Sequence, residues 1–170
     1  MKIIKVEDPQ EKSKICEKIL RSLPLWFGIE SAILDYIQDV QRMETWVAFE
    51  SEAIGFISLN KHNKYTAEIH VVGLLPEYHR QRVGSDLVKV AEKSLRSQDF
   101  KYLTVKTLSE ARADENYEKT RKFYLKSGFV PIEEFKTLWG EHNPCLMLIK
   151  DLGLTANHTA EESINKIHNF

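Results

Sequence analysis

The sequence predicts an α+β domain built around a mixed β-sheet. Three observations predict this class. First, apolar residues alternate in several short segments, as in β-strands. Second, two of these segments are adjacent in the chain and can form a hairpin. Third, two helical patterns lie between later strands and can form crossover connections. The length of 170 residues and the hydrophobic fraction of 42% suit one soluble globular domain. The expected order of elements is β-α-α-β-β-β-α-β-α-β-β.

The first half of the chain contains two predicted helices. Apolar residues at helical spacing predict a helix from Glu11 to Leu23, which Pro24 ends. The same spacing predicts a second helix from about Ile29 to Val40. Strands are predicted around them at Lys2–Val6, Trp46–Glu50, Ala53–Leu59 and about Ala67–Leu75.

The second half begins with a helix that Gly84 opens, and a strand follows from Tyr102 to Thr107. A further helix runs from Asn116 to Lys126, with Gly128 at its C-terminal stop. The last strands are predicted at Phe129–Phe135 and Cys145–Ile149. We therefore expect one domain over residues 1–150 and a C-terminal extension over 151–170, with a short helix around 161–167.

Composition narrows the function classes. The net charge of −1 gives no basis for nucleic-acid or membrane binding, and no run of 18 apolar residues exists. The N-terminal residues have no apolar signal-peptide core, so we expect a cytoplasmic protein. The scattered histidines lack metal-ligand spacing, so no metal is expected. They are His62, His70, His79 and His142.

The most informative segment runs from Glu68 to Leu87. An apolar strand is followed by the basic loop His79-Arg80-Gln81-Arg82 and then by the helix that Gly84 opens. Such a junction binds phosphate, because the first helical N–H groups have no partner within the helix and the helix dipole is positive there.

An ionisable pair, Glu68 and His70, lies on the strand beside this junction. Strict alternation of side chains predicts two faces: Ala67, Ile69, Val71 and Gly73 on one, and Glu68, His70, Val72 and Leu74 on the other. An anion site next to acid–base candidates indicates an enzyme that uses a phosphorylated cofactor.

The same segment resembles motif A of the GCN5-related N-acetyltransferases, Q/R-x-x-G-x-G/A. His79 takes the first position of the motif, Arg82 the fourth and Gly84 the sixth. Arg82 replaces a glycine, and an arginine disfavours a positive φ, but its guanidinium can add charge to a phosphate site.

A second segment, Tyr117–Phe129, resembles motif B, N-x-x-A-x-x-x-Y-x-x-x-G-F. Tyr124, Gly128 and Phe129 match at the right spacing, and Asn116 lies one residue from the motif's asparagine. In the family the matching tyrosine protonates the departing thiolate. The resemblance therefore implies that Tyr124 is the general acid.

The resemblance implies a mostly antiparallel sheet of six to seven strands flanked by about four helices, and a transferase that moves an acetyl group from acetyl-CoA to an amine. Glu68 matches the catalytic glutamate of the histone-acetylating branch, and His70 is the alternative base. The implied cofactor-binding residues are Val72, Leu74, His79, Arg80, Gln81, Arg82, Val83, Gly84, Ser85, Asn116 and Tyr124.

Other features stay open at this stage. The acceptor is expected to be a small-molecule amine, with Pro24–Gly28 and the Leu138–Pro144 loop as candidate walls. A homodimer is the expected assembly by resemblance. The alternatives are a non-catalytic acyl-CoA sensor of the same fold and an RNA-binding domain in which the basic loop contacts phosphates.

Overall fold

The computed structural model describes residues 1–153. Its strands are β1 (Lys2–Val6), β2 (Glu44–Phe49), β3 (Ala53–Lys61), β4 (Thr66–Leu74), β5 (Tyr102–Leu108), β6 (Val130–Phe135) and β7 (Cys145–Asp151). Its helices are α1 (Pro9–Arg21), α2 (Glu30–Asp39), α3 (Val83–Ser97) and α4 (Glu115–Lys126), with short 3₁₀ turns at Val40–Arg42 and Pro76–Tyr78.

All seven of these strands form one sheet in the order β1-β2-β3-β4-β5-β7-β6. The pairs are antiparallel except β4–β5, which is parallel because the chain returns between these strands through α3. The predicted α+β class and mixed sheet are therefore confirmed. The helix predicted around residues 161–167 lies outside the described residues.

Local capping sets the helix ends. The Asp8 side chain accepts a hydrogen bond from the Glu11 amide at 2.8 Å, so α1 starts at Pro9, earlier than expected. Asp114 caps α4 through the amides of Asn116 and Tyr117.

No helix within residues 1–153 is both long and apolar enough to span a membrane.

Two apolar clusters pack on opposite faces of the sheet. One lies under α3, where Leu87, Ala91 and Leu95 are fully buried. The other lies under α1, where Ile19 and Leu20 are fully buried. Each such leucine or isoleucine contributes about 1.5–3 kcal/mol to stability.

A β-bulge in β4 changes which residues face each cluster. Leu59 of β3 pairs with Ile69 but the preceding residue pairs with Val71, so His70 is the extra residue. Ile69 packs in the cluster under α3, whereas Val71 packs in the cluster under α1. The predicted alternation was therefore wrong beyond His70: Val72 and Leu74 share the α3 face with Ala67 and Ile69, and Gly73 lies against α1.

The buried carboxylate of Glu44, at the start of β2, forms hydrogen bonds with two strands and with the C-terminal end of α3. Glu44 accepts hydrogen bonds from Ser94 of α3 and from Gln98, the residue that follows α3. It also accepts from Trp46 and from Lys61 at the end of β3. Burial alone would raise the pKa of Glu44, but these donors outweigh it and lower the pKa to about 2. Glu44 therefore ties β2 to β3 and to the C-terminal end of α3.

Candidate active site

The edge of β4 that faces β5 is paired over only part of its length. Pairing between the two strands ends at Ile69 opposite Val105. Within residues 1–153, β4 continues beyond Ile69 paired with β3 alone, as far as Leu74 opposite Gly55. An open edge of backbone therefore begins where the bulge lies.

Two amides point into this open edge. The N–H of Leu75 donates to the carbonyl oxygen of Ile54 on β3 at 2.9 Å. Counting back along the strand from Leu75, every second N–H group therefore also points towards β3. Because successive N–H groups along a strand point to opposite edges, the N–H of Val71 faces β3, and the N–H groups of Val72 and Leu74 face the open edge. Val72 and Leu74, two of the residues that the resemblance implies for cofactor binding, thus have their amides on the open edge.

His79 lies across the outer end of the open edge. Its Nε2 is 3.0 Å from the carbonyl oxygen of Leu74, and its ring meets that of Trp26 edge-on with centroids 5.6 Å apart. The imidazole therefore occupies the backbone carbonyl of Leu74, one of the residues that the resemblance implies for cofactor binding. An arm lying along β4 must use the neighbouring amides or displace His79.

The loop between α1 and α2 is held against α4 by hydrogen bonds, near the outer end of the open edge of β4. The Trp26 indole N–H donates to Thr120 Oγ1 at 3.1 Å, and the Tyr117 hydroxyl donates to the Trp26 carbonyl oxygen at 2.7 Å. Burial raises the pKa of Tyr117. The candidate wall Pro24–Gly28 is therefore anchored by side chains of α4.

His70, at the bulge, is held by α2. Its Nε2 lies 3.1 Å from Asp39 Oδ2, and its ring meets Tyr36 edge-on with centroids 5.3 Å apart. Asp39 also accepts from Arg42 at 2.6 Å. Burial raises the pKa of Tyr36 to about 12, so that its phenol stays protonated. A carboxylate that accepts from one ring nitrogen leaves the other nitrogen to accept a proton.

Glu68 lies in the paired half of β4 and is clamped by two donors. Lys106 Nζ is 2.8 Å from Oε1, and His62 Nε2 is 2.6 Å from Oε2. The side chain of Glu68 is only 9% exposed. Both carboxylate oxygens are therefore already engaged by the protein.

Tyr124 is a core residue of α4. It is 4% exposed and packs between Phe123 and Phe129, with ring centroids 5.3 Å and 5.6 Å away. Burial raises the pKa of Tyr124 well above its ordinary value of 10. The hydroxyl therefore stays protonated near neutral pH, and burial makes it a weaker acid than an exposed tyrosine.

The basic loop leads into α3 as expected. Arg80 and Arg82 both have left-handed backbone, with φ of +63° and +67°, and Arg82 is the N-cap of α3. The structure thus keeps at Arg82 the conformation that glycine favours. The amides of Val83, Gly84 and Ser85 in the first turn of α3 have no acceptor within the helix.

Gly84 packs closely against its neighbours. A Cβ at this position would lie 3.1 Å from Leu74 Cδ1 and 3.4 Å from Phe123 Cζ, so a side chain here would require these neighbours to shift by a few tenths of an ångström. The first turn of α3 therefore lies against both the open half of β4 and α4.

Several site residues carried no sequence signal. Asp39, Tyr36 and Lys106 lie outside both motifs, and only the folded sheet brings them to His70 and Glu68. Asn116 lies in the first turn of α4, where its carbonyl oxygen accepts from Thr120. In the other candidate wall, Glu141 and His142 are exposed.

Comparison with known proteins agrees with this geometry. The family model described as acetyltransferase (GNAT) family matches residues 14–129. The chain belongs to the GNAT acetyltransferase family. A search of the curated proteins found no match.

Solved structures share the fold at low sequence identity. A GNAT-family acetyltransferase from Desulfovibrio desulfuricans superposes with a TM-score of 0.75 at 12% identity, covering 89% of this chain and 98% of that chain. An aminoglycoside 6′-N-acetyltransferase complexed with coenzyme A gives 0.72 at 16% identity, with 89% and 97% covered. The enzyme of that name from Enterococcus faecium gives 0.70 at 18% identity over the same shares.

Proposed function

We propose that the protein transfers the acetyl group of acetyl-CoA to a primary amine of a small molecule, by direct attack within a ternary complex. The observation that carries this proposal is the open edge of β4, which begins at the bulge and whose outer end, at Leu74, lies against the first turn of α3. An extended acyl-pantetheine can pair with such an edge while its pyrophosphate meets the helix N-terminus.

Cofactor binding follows from the backbone. The amides of Val72 and Leu74 pair with the pantetheine arm, and the loop from Arg80 to Ser85 binds the pyrophosphate. The guanidinium of Arg82 adds a full charge where the family has only a glycine amide. The left-handed backbone at Arg82 supports this, because it preserves the course of the loop.

The chemical step needs an electrophile, a base and an acid. The amine nitrogen attacks the thioester carbonyl carbon, and the N–H of Val72 stabilises the negative charge that develops on the carbonyl oxygen. The C–S bond then breaks, and the thiolate takes the proton of the Tyr124 hydroxyl. Attack within a ternary complex gains much of its rate from proximity.

The proton of the attacking amine goes to His70. His70 lies at the start of the open edge, and the Asp39 contact through Nε2 leaves Nδ1 as the acceptor. Glu68 is the second candidate, supported by its position in the motif resemblance. Its contacts with Lys106 and His62 favour a structural role, since they use both carboxylate oxygens.

The acceptor is proposed to be a cationic small molecule. Tyr36 presents an aromatic ring beside His70, and such a ring attracts ammonium ions, whereas both Asp39 oxygens are already engaged by His70 and Arg42. Three of the structural neighbours are aminoglycoside acetyltransferases, whose substrates carry several amines. The particular amine is the object of the screen below.

A non-catalytic acyl-CoA sensor is the second candidate. Arg82 favours it, because strain at the phosphate loop is compatible with binding that has been retained after loss of turnover. The sensor and the enzyme make the same prediction for cofactor binding and opposite predictions for thiol release.

The test has two stages. Thermal unfolding is measured with acetyl-CoA, coenzyme A and ATP; at about 100 times Kd, acetyl-CoA should add about 2.7 kcal/mol of stability, and ATP should add much less. Thiol release is then followed over a panel of amines. A shift with turnover supports the enzyme, and a shift without turnover over the whole panel supports the sensor. No shift at millimolar acetyl-CoA would refute both.

A further inference from the structure

Lys12 is a buried lysine on the apolar stripe of α1. It lies one turn before Cys16 and two turns before Ile19, both of which are fully buried, and only 6% of its own surface is exposed. A lysine is rarely this enclosed unless its charge is satisfied, because removing an ammonium from water costs free energy. The contacts of Lys12 therefore require an explanation beyond packing.

The ammonium of Lys12 is held by backbone oxygens beyond the end of α2. It donates to the carbonyl oxygen of Met43 at 2.8 Å and to that of Gln41 at 3.5 Å. The adjacent Ser13 hydroxyl donates to the carbonyl oxygen of Ile37, in the last turn of α2, at 2.8 Å. Carbonyl oxygens at the C-terminal end of a helix lack partners within it and form the negative end of its dipole. A cation and a hydroxyl are therefore suitable donors here.

These contacts lie on either side of Asp39. α2 ends at Asp39 and the 3₁₀ turn Val40–Arg42 follows without a break, so the carbonyl groups held by α1 come both before and after Asp39 in the chain. The Asp39 side chain is 26% exposed, so its direction depends on the backbone that carries it. Val40 anchors this turn in the core, and the donors of α1 anchor its backbone. Together they set the direction from which Asp39 meets His70 Nε2, 3.1 Å away.

We propose that Lys12 and Ser13 are positioning residues for deprotonation of the amine, which hold Asp39 where it orients His70. The inference rests on the proposed function and adds two residues of α1 that act through the backbone of α2. Loss of the Lys12 ammonium lets the turn shift, and a shift of about 1 Å at a reacting group costs up to about 10²-fold in rate. The effect falls on kcat, because binding of acetyl-CoA does not use the His70 imidazole.

The test is a double-mutant cycle in kcat between Lys12→Met and His70→Gln, with turnover followed by thiol release. We expect Lys12→Met alone to lower kcat about tenfold and to keep the KM for acetyl-CoA within about twofold of wild type. In the His70→Gln background, Lys12→Met should lower kcat by less than about twofold, because the residue through which it acts is already gone.

Two further variants complete the test. Ser13→Ala loses one neutral hydrogen bond and leaves no buried charge, so it folds even where Lys12→Met does not. It should lower kcat about threefold, and again only while His70 is present. Lys14→Met makes the matched change at an exposed position of α1 and should keep wild-type kcat. Urea unfolding identifies the variants that are folded under the assay conditions.

The background in which kcat falls decides between positioning and a general structural role. Equal losses from Lys12→Met with and without His70 would refute the positioning role and leave the proposed function intact. Wild-type kcat in Lys12→Met and Ser13→Ala, or in His70→Gln itself, would refute it as well. Absence of turnover in the wild type over the whole amine panel would overturn the proposed function, and the positioning role with it.

Discussion

The two halves of β4 differ in their neighbours. Ala67–Ile69 pair on both edges, with β3 and with β5, whereas within residues 1–153 the residues after the bulge pair with β3 alone. The first half holds Glu68 in a clamp of fixed donors, and the second presents amides towards the open edge. One strand thus has a half paired on both edges and a half with an open edge, and a single extra residue, His70, separates the two halves.

This difference shows that burial and residue type alone do not mark a catalytic carboxylate. Glu44 and Glu68 are equally enclosed and each is paired with a lysine. Glu44 pairs with Leu59 of β3, and its carboxylate accepts from Ser94, Trp46 and Lys61, so we expect its role to be structural. The position of a side chain relative to the open edge therefore decides its function.

The largest expected effect comes from prolines at adjacent positions of β4. Val72→Pro removes an amide that faces the open edge, and we expect kcat to fall by about 10²–10³-fold while the fold is kept. Val71→Pro removes an amide that faces β3, and we expect about 3 kcal/mol of destabilisation. Steady-state kinetics and urea unfolding measure the two effects.

The two proline variants control each other. If Val72→Pro retained wild-type kcat, the open edge would not bind the thioester carbonyl. If it lost as much stability as Val71→Pro, the amide direction inferred from the Leu75 contact would be wrong.

The next largest effect is expected from replacing His70 at the bulge, compared with replacing Glu68 in the paired half of β4. His70→Gln should lower kcat by about 10²-fold near pH 7, with a deficit that shrinks as pH rises and the amine loses its proton unaided. Glu68→Gln should keep the shape of the pH–rate profile and cost about 1–3 kcal/mol of stability, because Lys106 loses its charged partner. The reverse pattern, a changed profile in Glu68→Gln alone, would assign the base to Glu68.

A smaller effect tests the structural role of Glu44. The pKa of Glu44 is lowered to about 2 in the folded protein, so its ionised form contributes stability that is complete above the ordinary pKa near 4.5 and is lost as pH falls towards 2. Glu44→Gln should cost about 1–3 kcal/mol at pH 7 and almost nothing near pH 2. Urea unfolding across this range measures the gap.

The control for Glu44 is Glu118→Gln, which changes an exposed carboxylate on α4. Its stability should follow that of wild type to within about 0.5 kcal/mol at every pH. A gap between wild type and Glu44→Gln that did not close in acid would show that shape, and not charge, holds this end of the sheet.

The sequence predicted the elements and the two motifs well. Helical spacing, Pro24 and Gly128 located the helices because each acts locally, and α4 begins only one residue before the expected Asn116. The strand–loop–helix order around the basic loop was predictable for the same reason. Its geometry depends on a strand, a loop and a helix that are adjacent along the chain.

The rest depended on contacts between distant segments. The bulge at His70 comes from a mismatch with β3, which leaves no trace in the periodicity of β4, so Val72 and Leu74 were assigned to the wrong face. Asp39 and Lys106 meet the site from α2 and β5, elements whose sequences look unremarkable. Only the assembled sheet could identify them.

The smallest effect separates backbone from charge at Arg82. Arg82→Gly removes left-handed strain of about 1–2 kcal/mol but adds unfolded-state entropy of about 0.5–1 kcal/mol, so we expect a gain of at most about 1 kcal/mol. Arg82→Ala keeps the strain and removes the guanidinium. Both variants should bind coenzyme A about threefold to tenfold more weakly, because both lose the same charge.

Urea unfolding and isothermal titration of this pair distinguish two explanations for an arginine at a glycine position. If Arg82→Gly binds as tightly as wild type and Arg82→Ala does not, loop conformation alone determines affinity. If both weaken equally, the chain tolerates a strained residue because its charge serves the phosphate, at the point where the open edge of β4 meets α3.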